Sequence, residues 1–346
     1  MQALLLAGGL GTRLRPLTED WPKPMAHVGN RPWLEHLILM LKNQGIDDFV
    51  LAVKHFPEKI QHHFGKGDKW RVRIRYAVER SLLGTAGAIK NAEPLLQDRF
   101  LVFNADIIQT FRLAPFIEAH DRRGAALSIA LTEVDDPSQY GVVEQDADGR
   151  ILRFVEKPRP EEAPSRRINA GIYMMEKTLL ADIPSGREVS IEREMFPRWI
   201  ESGVRVYGHA MDGYWMDMGT AKRYRQVHRD LLDGRLDLPV GGSEIQKGVK
   251  IGTDCDIHPG VLFVPPVLIG DRVSIGERSV IGPYTVIGDG CRIGSGVRLS
   301  ESILWNRCSV DNNAILANCI FGHGLSIGTR YAMHEAVMSR IGVNYA

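Results

Sequence analysis

The chain has almost no net charge. Its 346 residues carry 43 Lys and Arg against 42 Asp and Glu, leaving +1. So even a balance gives no general pull toward nucleic acid or an anionic membrane, and neither partner is expected. Long hydrophobic runs are missing too, since no stretch approaches the roughly 18 apolar residues of a membrane helix. The opening Met1-Gln2-Ala3-Leu4-Leu5-Leu6-Ala7 lacks a basic leader and reads as a strand, not a signal peptide. Cysteine is scarce. The four, at 255, 291, 308 and 319, include no Cys-x-x-Cys pair, which removes spacing support for zinc. They are also too few for a secreted disulfide framework at this length. A cytoplasmic chain with reduced thiols is the expectation.

What is present suffices for a sizeable core: 44% hydrophobic and 25% charged residues argue against disorder. At roughly 150 residues per domain, the length suggests two domains. The sequence divides accordingly. Up to about residue 230, short apolar runs alternate with helical patterns. Ala3 to Leu6, Phe49 to Val53, Phe100 to Phe103, Ala126 to Leu131 and Val204 to Tyr207 read as strands. Pro32 to Asn43 places Leu34, Leu37, Ile38 and Leu41 on one helix face. Such alternation predicts an α/β domain with a mostly parallel sheet. Glycines then gather between 231 and 248, as in a linker.

From Ile251 a six-residue period takes over. Aliphatic or aromatic residues fall at 251, 257, 263, 269, 275, 281, 287 and 293, with glycine next at 252, 270, 276, 282, 288 and 294. The fifth position of each unit is small or branched, as at Cys255, Val261, Val267, Val273, Ser279, Thr285, Cys291 and Val297. A five-residue unit at 299–303 shifts the phase, and the pattern resumes at Leu304, Val310 and Leu316. So short a repeat marks a solenoid whose rungs bury apolar residues only against their neighbours. Three units per coil give about four coils. The segment resembles the hexapeptide-repeat family, which implies a left-handed parallel β-helix. Cys255, Cys291 and Cys308 fall on inward fifth positions, where they act as small hydrophobes. Cys319 is off phase and has no place in the repeat.

The first strand runs into Leu6-Ala7-Gly8-Gly9-Leu10-Gly11-Thr12-Arg13-Leu14-Arg15-Pro16-Leu17-Thr18. Three glycines let the backbone approach a ligand closely and turn N–H groups toward an anion. The segment fits neither Gly-x-Gly-x-x-Gly nor the Gly-Lys-Ser/Thr loop, and a tight strand-to-helix turn would account for the glycines alone. Arg13, Arg15 and the following Lys23-Pro24 tilt the reading toward polyphosphate.

With Lys23-Pro24, this loop resembles the signature of the sugar-phosphate nucleotidylyltransferases. The likeness extends over most of the chain. Leu83-Gly84-Thr85-Ala86-Gly87, Phe154-Val155-Glu156-Lys157-Pro158, Ile168-Asn169-Ala170-Gly171-Ile172-Tyr173, Ser190-Ile191-Glu192 and Trp215-Met216-Asp217-Met218-Gly219 arrive in that family's order. The strongest likeness is to the branch using GTP and mannose 1-phosphate, whose members carry a short hexapeptide-repeat tail. The resemblance implies a Rossmann-like nucleotidyltransferase domain at 1–235, a linker at 236–248, the β-helix at 249–330 and a tail at 331–346.

It further implies an NDP-sugar synthesis in which a sugar 1-phosphate displaces pyrophosphate from a nucleoside triphosphate. Arg13, Lys23, Asp106 and Asp217 would be catalytic. Leu6, Ala7, Gly8, Gly9, Gly11, Thr12, Gly84, Thr85 and Ala86 would hold the nucleotide with Arg13, Lys23 and Asp106. Gly141, Glu156, Lys157, Asn169 and Gly171 would hold the sugar phosphate. Magnesium would sit on Asp106 and Asp217, since it takes one or two carboxylates plus phosphate oxygens. Asp106 follows Asn104-Ala105 where Gly-Asp is commoner, a form that the mannose branch tolerates. A heptose or glucose 1-phosphate, or a thymine or uracil base, stays open. So does a regulatory subunit that binds sugar nucleotide without making it, although the complete set Arg13, Lys23, Asp106 and Asp217 disfavours this. An acyltransferase in the repeat would need a far longer solenoid and a catalytic histidine. His62, His63, His258 and His323 read as surface or loop residues, and the coils as a surface for a homo-oligomer.

Overall fold

The computed structural model describes residues 1–345. Two compact units emerge: residues 1–9 with 37–215, and residues 10–36 with 216 onward.

The first unit is built on a nine-stranded sheet. Its strands are β1 (Gln2–Leu6), β2 (Asp48–Val53), β3 (Arg73–Val78), β4 (Arg99–Asn104), β5 (Leu127–Glu133), β6 (Gly141–Gln145), β7 (Ile151–Glu156), β8 (Arg167–Glu176) and β9 (Val206–Ala210). They lie in the order β7-β6-β8-β4-β1-β2-β3, with β5 paired to β8 and β9. β4, β1, β2 and β3 run parallel. β1 and β2 are nearly continuous aliphatic runs because helices cover both faces of such a sheet, and every residue of β2 is buried. The other half is largely antiparallel. β8 runs against β4, β5 and β6, and β7 against β6. The β6–β7 hairpin turns on Asp146, whose Oδ1 accepts from the N–H groups of Asp148 and Arg150, with Gly149 at φ +82°.

β1 and β4 are neighbours, with Leu6 beside Asn104 and the Ala105 N–H donating to the Leu6 carbonyl at 3.1 Å. The loops after both strands therefore leave one end of the sheet. In open α/β sheets that is where ligands bind.

The second unit contains a parallel β-helix. Fifteen strands from Val249–Ile251 through Ala332–His334, three to a coil, make five coils, and Ala336–Met338 begins a sixth. The period accounts for more coils than expected. Val249 pairs with Val267 and Val267 with Thr285, but Val286 then pairs with Ile303, Ile303 with Ile320 and Ile320 with Val337. The later coils are one residue shorter. The five-residue unit seen at 299–303 recurs at 316–320 and hides the repeat from a six-residue template. Cys319 gains its place here: its N–H donates to Ser302 Oγ of the preceding coil at 3.2 Å, and it is fully buried. Cys291 and Cys308 also lie in the coil interior, while Cys255 packs half-buried beside it. The strand Ser243–Gln246 pairs antiparallel with the first strand, and Val343–Tyr345 antiparallel with Ala336–Met338. Ala346, the end of the expected tail, lies outside the described residues. No helix among the described residues is long and apolar enough to cross a membrane.

Candidate active site

In the first unit, Leu6 and Ala7 finish β1, and Ala7 N–H donates to the Ala52 carbonyl at 2.8 Å. Gly8 follows under Lys54 and Glu79, where a Cβ would come within 2.9 Å of Glu79 Oε1. Nothing lies within 4 Å of a Cβ at Gly9, so this edge of the loop is open. Asp106 is half-buried just beyond β4.

The helix Gly84–Ala92 begins beside the segment 189–192. Gly84 has φ +67°, and a Cβ there would meet the Val189 carbonyl at 2.6 Å, so only glycine fits. Thr85 Oγ1 donates to Glu192 Oε2 at 2.7 Å and accepts from the Ile191 N–H at 2.8 Å. Ala86 is buried, its N–H on the Val189 carbonyl. The polar groups expected against base and ribose thus hold 189–192 in place. Glu192, noted in sequence only as part of a motif, is the residue they position.

The proposed sugar residues gather on β6, β7 and β8. Pairing sets Gly141 opposite Glu156, and a Cβ at 141 would come within 2.3 Å of Phe154 Cζ and 2.9 Å of Glu156 Oε2. Asn169 Nδ2 donates to Tyr173 Oη at 2.8 Å, and its Oδ1 accepts the Gly171 N–H at 2.9 Å. Gly171, at φ +76°, leaves no room for a side chain against Ile107 and Asn104. Burial raises the Glu156 carboxyl above its ordinary value, and the nearby negative charge of Glu192 adds to this. Lys157 opposes both, with Nζ 3.9 Å from Glu156 Oε1. Lys157 is exposed at left-handed φ +52°, its N–H fixed on the Tyr140 carbonyl at 2.9 Å.

In the second unit, Gly11 takes φ +61°, where a Cβ would meet Lys23 Cβ and Thr18 Cγ2 at 3.0 Å. Thr18 Oγ1 closes the turn on the Gly11 carbonyl at 2.8 Å. Leu14 and Leu17 are buried, while Thr12, Arg13 and Arg15 stay exposed. Apolar anchoring of a loop that presents cations is what the alternating residue types require. Lys23 Nζ and Arg13 Nη2 each lie 3.6 Å from the Asp217 carboxylate. Arg223, unnoticed in sequence, reaches the same carboxylate at 3.0 Å. It stands in the first turn of the helix Ala221–Leu232, whose N-cap Thr220 accepts the Arg223 N–H. Asp217 therefore shares three cations. Lys23 is only 5% exposed and Arg13 60%, so the lysine is fixed and the arginine is free to reach outward.

Among the described residues no three His, Cys, Asp or Glu side chains gather as a metal cage. His258 and His62 are exposed, as expected. His323 differs. It stands in a turn but is half-buried, packed against the rings of Trp21, His27 and Trp305.

The fold is thus of the α/β class, with a glycine-rich turn beyond a parallel strand of the first unit and a cluster of cations in the second. The chain belongs to the nucleotidyl transferase family, whose model matches residues 2–234. A second model, the GMPPB C-terminal domain, matches 263–343. The chain is 36% identical over 273 residues to the mannose-1-phosphate guanylyltransferase of Mycobacterium tuberculosis, covering 78% of this chain and 75% of that one. It is 34% identical over 286 residues to the UTP–glucose-1-phosphate uridylyltransferase of Synechocystis, covering 78% and 74%. The crystal structure of HddC from Yersinia pseudotuberculosis, complexed with GMP-PN, matches with a TM-score of 0.58 at 29% identity, over 66% of this chain and 99% of that one.

Proposed function

We propose that this protein makes GDP-mannose from GTP and mannose 1-phosphate, releasing pyrophosphate. The observation that carries this reading is the cation cluster of Arg13, Lys23 and Arg223 about Asp217, in a chain 36% identical to a mannose-1-phosphate guanylyltransferase. A guanine nucleotide in the related HddC structure favours the base. The uridylyltransferase relative supports a second reading, UTP with glucose 1-phosphate.

A phosphate oxygen of the sugar 1-phosphate attacks the α-phosphorus and forms a new P–O bond. The bond from the α-phosphorus to the bridging oxygen breaks, and pyrophosphate leaves with the electron pair. The nucleophile is already an anion, so no general base is needed. Two polyanions must nonetheless be brought into line, so positioning and charge stabilisation dominate. Arg13 suits the outer phosphates through its planar fork. Lys23, held by Asp217, suits the α-phosphate and the departing oxygen. Gly8, Gly9, Gly11 and Thr12 would wrap the triphosphate, with Leu6, Ala7, Gly84, Thr85 and Ala86 shaping the nucleotide side. Lys157 would hold the sugar's phosphate. Glu156 would accept from its hydroxyls, with Gly141, Asn169 and Gly171 completing that wall.

Magnesium suits Asp106 and Asp217, each considered by itself. It needs few carboxylates when phosphates complete its shell, and Asp217 retains lone pairs beyond its ion pairs. When bound, it neutralises charge on the phosphates.

We also assign catalysis to 1–235, with 236–248 as linker, and homo-oligomer assembly to the coils at 249–330 and the segment beyond. The test is a pyrophosphate-release screen. Four nucleoside triphosphates are set against mannose, glucose, heptose and N-acetylglucosamine 1-phosphates, with and without magnesium. GTP with mannose 1-phosphate should give the highest kcat/KM. A higher value for UTP with glucose 1-phosphate overturns the assignment in favour of the second reading.

A further inference from the structure

One coil corner breaks its own rule. Along one stack the inward residue is followed by glycine, in Ile251-Gly252, Ile269-Gly270, Ile287-Gly288 and Phe321-Gly322. The next coil is close there: a Cβ at Gly288 would meet Asn306 Oδ1 at 2.5 Å. In the fourth coil the same place holds Trp305, after Leu304. Trp305 is outside the coil's interior cluster, yet it is 1% exposed. What covers it is the segment that carries Lys23. Its ring stacks on His27, centroids 5.7 Å apart and planes at 21°. Its Nε1 donates to Tyr224 Oη at 2.9 Å, and Tyr224 Oη donates to the His27 carbonyl. One coil further on, His323 meets Trp21, His27 and Trp305 at 4.4, 4.8 and 5.0 Å.

These contacts bracket Lys23. Trp21 lies two residues before it, and its Nε1 donates to the Met25 carbonyl at 3.1 Å, closing the turn in which Lys23 sits. His27 lies four residues after it. Tyr224 belongs to the helix that starts just beyond Asp217, next to Arg223. The coils thus grip both ends of the Lys23 turn and the helix behind its counter-ion.

We propose that the Trp305–His323 face of the β-helix is a positioning element for Lys23, fixing its amine for the transfer step. The repeat domain then acts on catalysis through this contact, whatever its part in assembly. The proposal rests on the reading of Lys23 given above. Small misplacements of a catalytic group can lower a rate by orders of magnitude, so the effect should appear in kcat.

The test compares full-length His323→Ala, His323→Phe and Trp305→Phe with the unaltered chain. Thermal melts identify the folded fraction. His323→Ala removes the ring on Trp21 and His27. Trp305→Phe keeps a smaller ring and removes the bond to Tyr224, so it serves if the alanine variant folds poorly. We expect kcat for pyrophosphate release to fall about tenfold in His323→Ala and severalfold in Trp305→Phe, with KM for the sugar phosphate within twofold of the original. His323→Phe should restore most of the loss. A second readout does not use activity: labelling by an amine-acetylating reagent, read by mass spectrometry. Lys23 labelling should rise severalfold in His323→Ala relative to the exposed Lys250. Unchanged kcat and unchanged Lys23 labelling in the folded variants would overturn the proposal, as would losses that merely track the unfolded fraction. If the unaltered chain turns over no substrate pair, the functional reading fails, and the labelling alone decides the positioning role.

Discussion

Three cations share the carboxylate of Asp217, and one of them, Lys23, is almost wholly buried. Removing that charge withdraws one ion-pair partner from a buried ammonium, a loss that destabilises the fold. Asp217→Asn should therefore lower both the melting temperature and kcat, the latter by about a hundredfold or more. Near-normal kcat in magnesium buffer would remove Asp217 from the mechanism. Lys157 is different, being exposed and worth little to folding. Lys157→Ala should raise KM for the sugar phosphate about tenfold and leave KM for the nucleotide nearly unchanged. Equal effects on both would contradict its role. Sequence disclosed residues of this sort unevenly. Arg13 and Lys23, in one family-like loop, and Asp217, in a separate motif, were legible as candidates, and the structure brings the three together. Arg223 was not, because an arginine in a helix's first turn has no mark until Asp217 is seen beside it. Thr85 was legible as a motif member, but its partner Glu192 is more than a hundred residues away.

At the scale of elements, the turn after Lys23 is held by two neutral histidines. His36 Nε2 donates to the Val28 carbonyl at 2.9 Å. His228 Nε2 accepts the Gly29 N–H at 3.3 Å while its Nδ1 donates to the Tyr224 carbonyl at 3.0 Å. Burial lowers both rings from 6.5 to about 4. The unfolded chain binds protons first as pH falls, so this stability is complete above about pH 6.5 and is lost progressively toward pH 4. Each ring accounts for roughly 3 kcal/mol at most, from the value of one pKa unit. His228→Gln should show a smaller drop in melting temperature between pH 7 and pH 4.5 than the unaltered chain, and an identical drop would reject the assignment. The elements themselves were legible where periodicity was strong. β1, β2, β4 and the helix Trp33–Asn43 lie within a residue of expectation. β3, β6, β7 and β8 were not foreseen. β3 and β7 mix arginines into short half-exposed strands, so neither template fits them cleanly. The last coils escaped because a shortened unit slips the phase on each turn.

At the scale of the whole molecule, the coils expose apolar side chains on one stack. Leu262 and Ile315, on the strands of a single face, are 64% and 50% exposed. If copies assemble through this face, Ile315→Asp should lower the mass seen by light scattering without changing the melting temperature. An unchanged mass would place assembly elsewhere. The antiparallel strands at both ends of the longest face bear on the form that assembly can take. A stack of parallel rungs is otherwise an invitation to grow, since each terminal rung offers unmet amides and carbonyls to the next chain. Here a reversed strand lies across that face at each pole, so a newcomer continuing the spiral would find one of three sides barred. Fibres continued end to end along that side are thereby disfavoured.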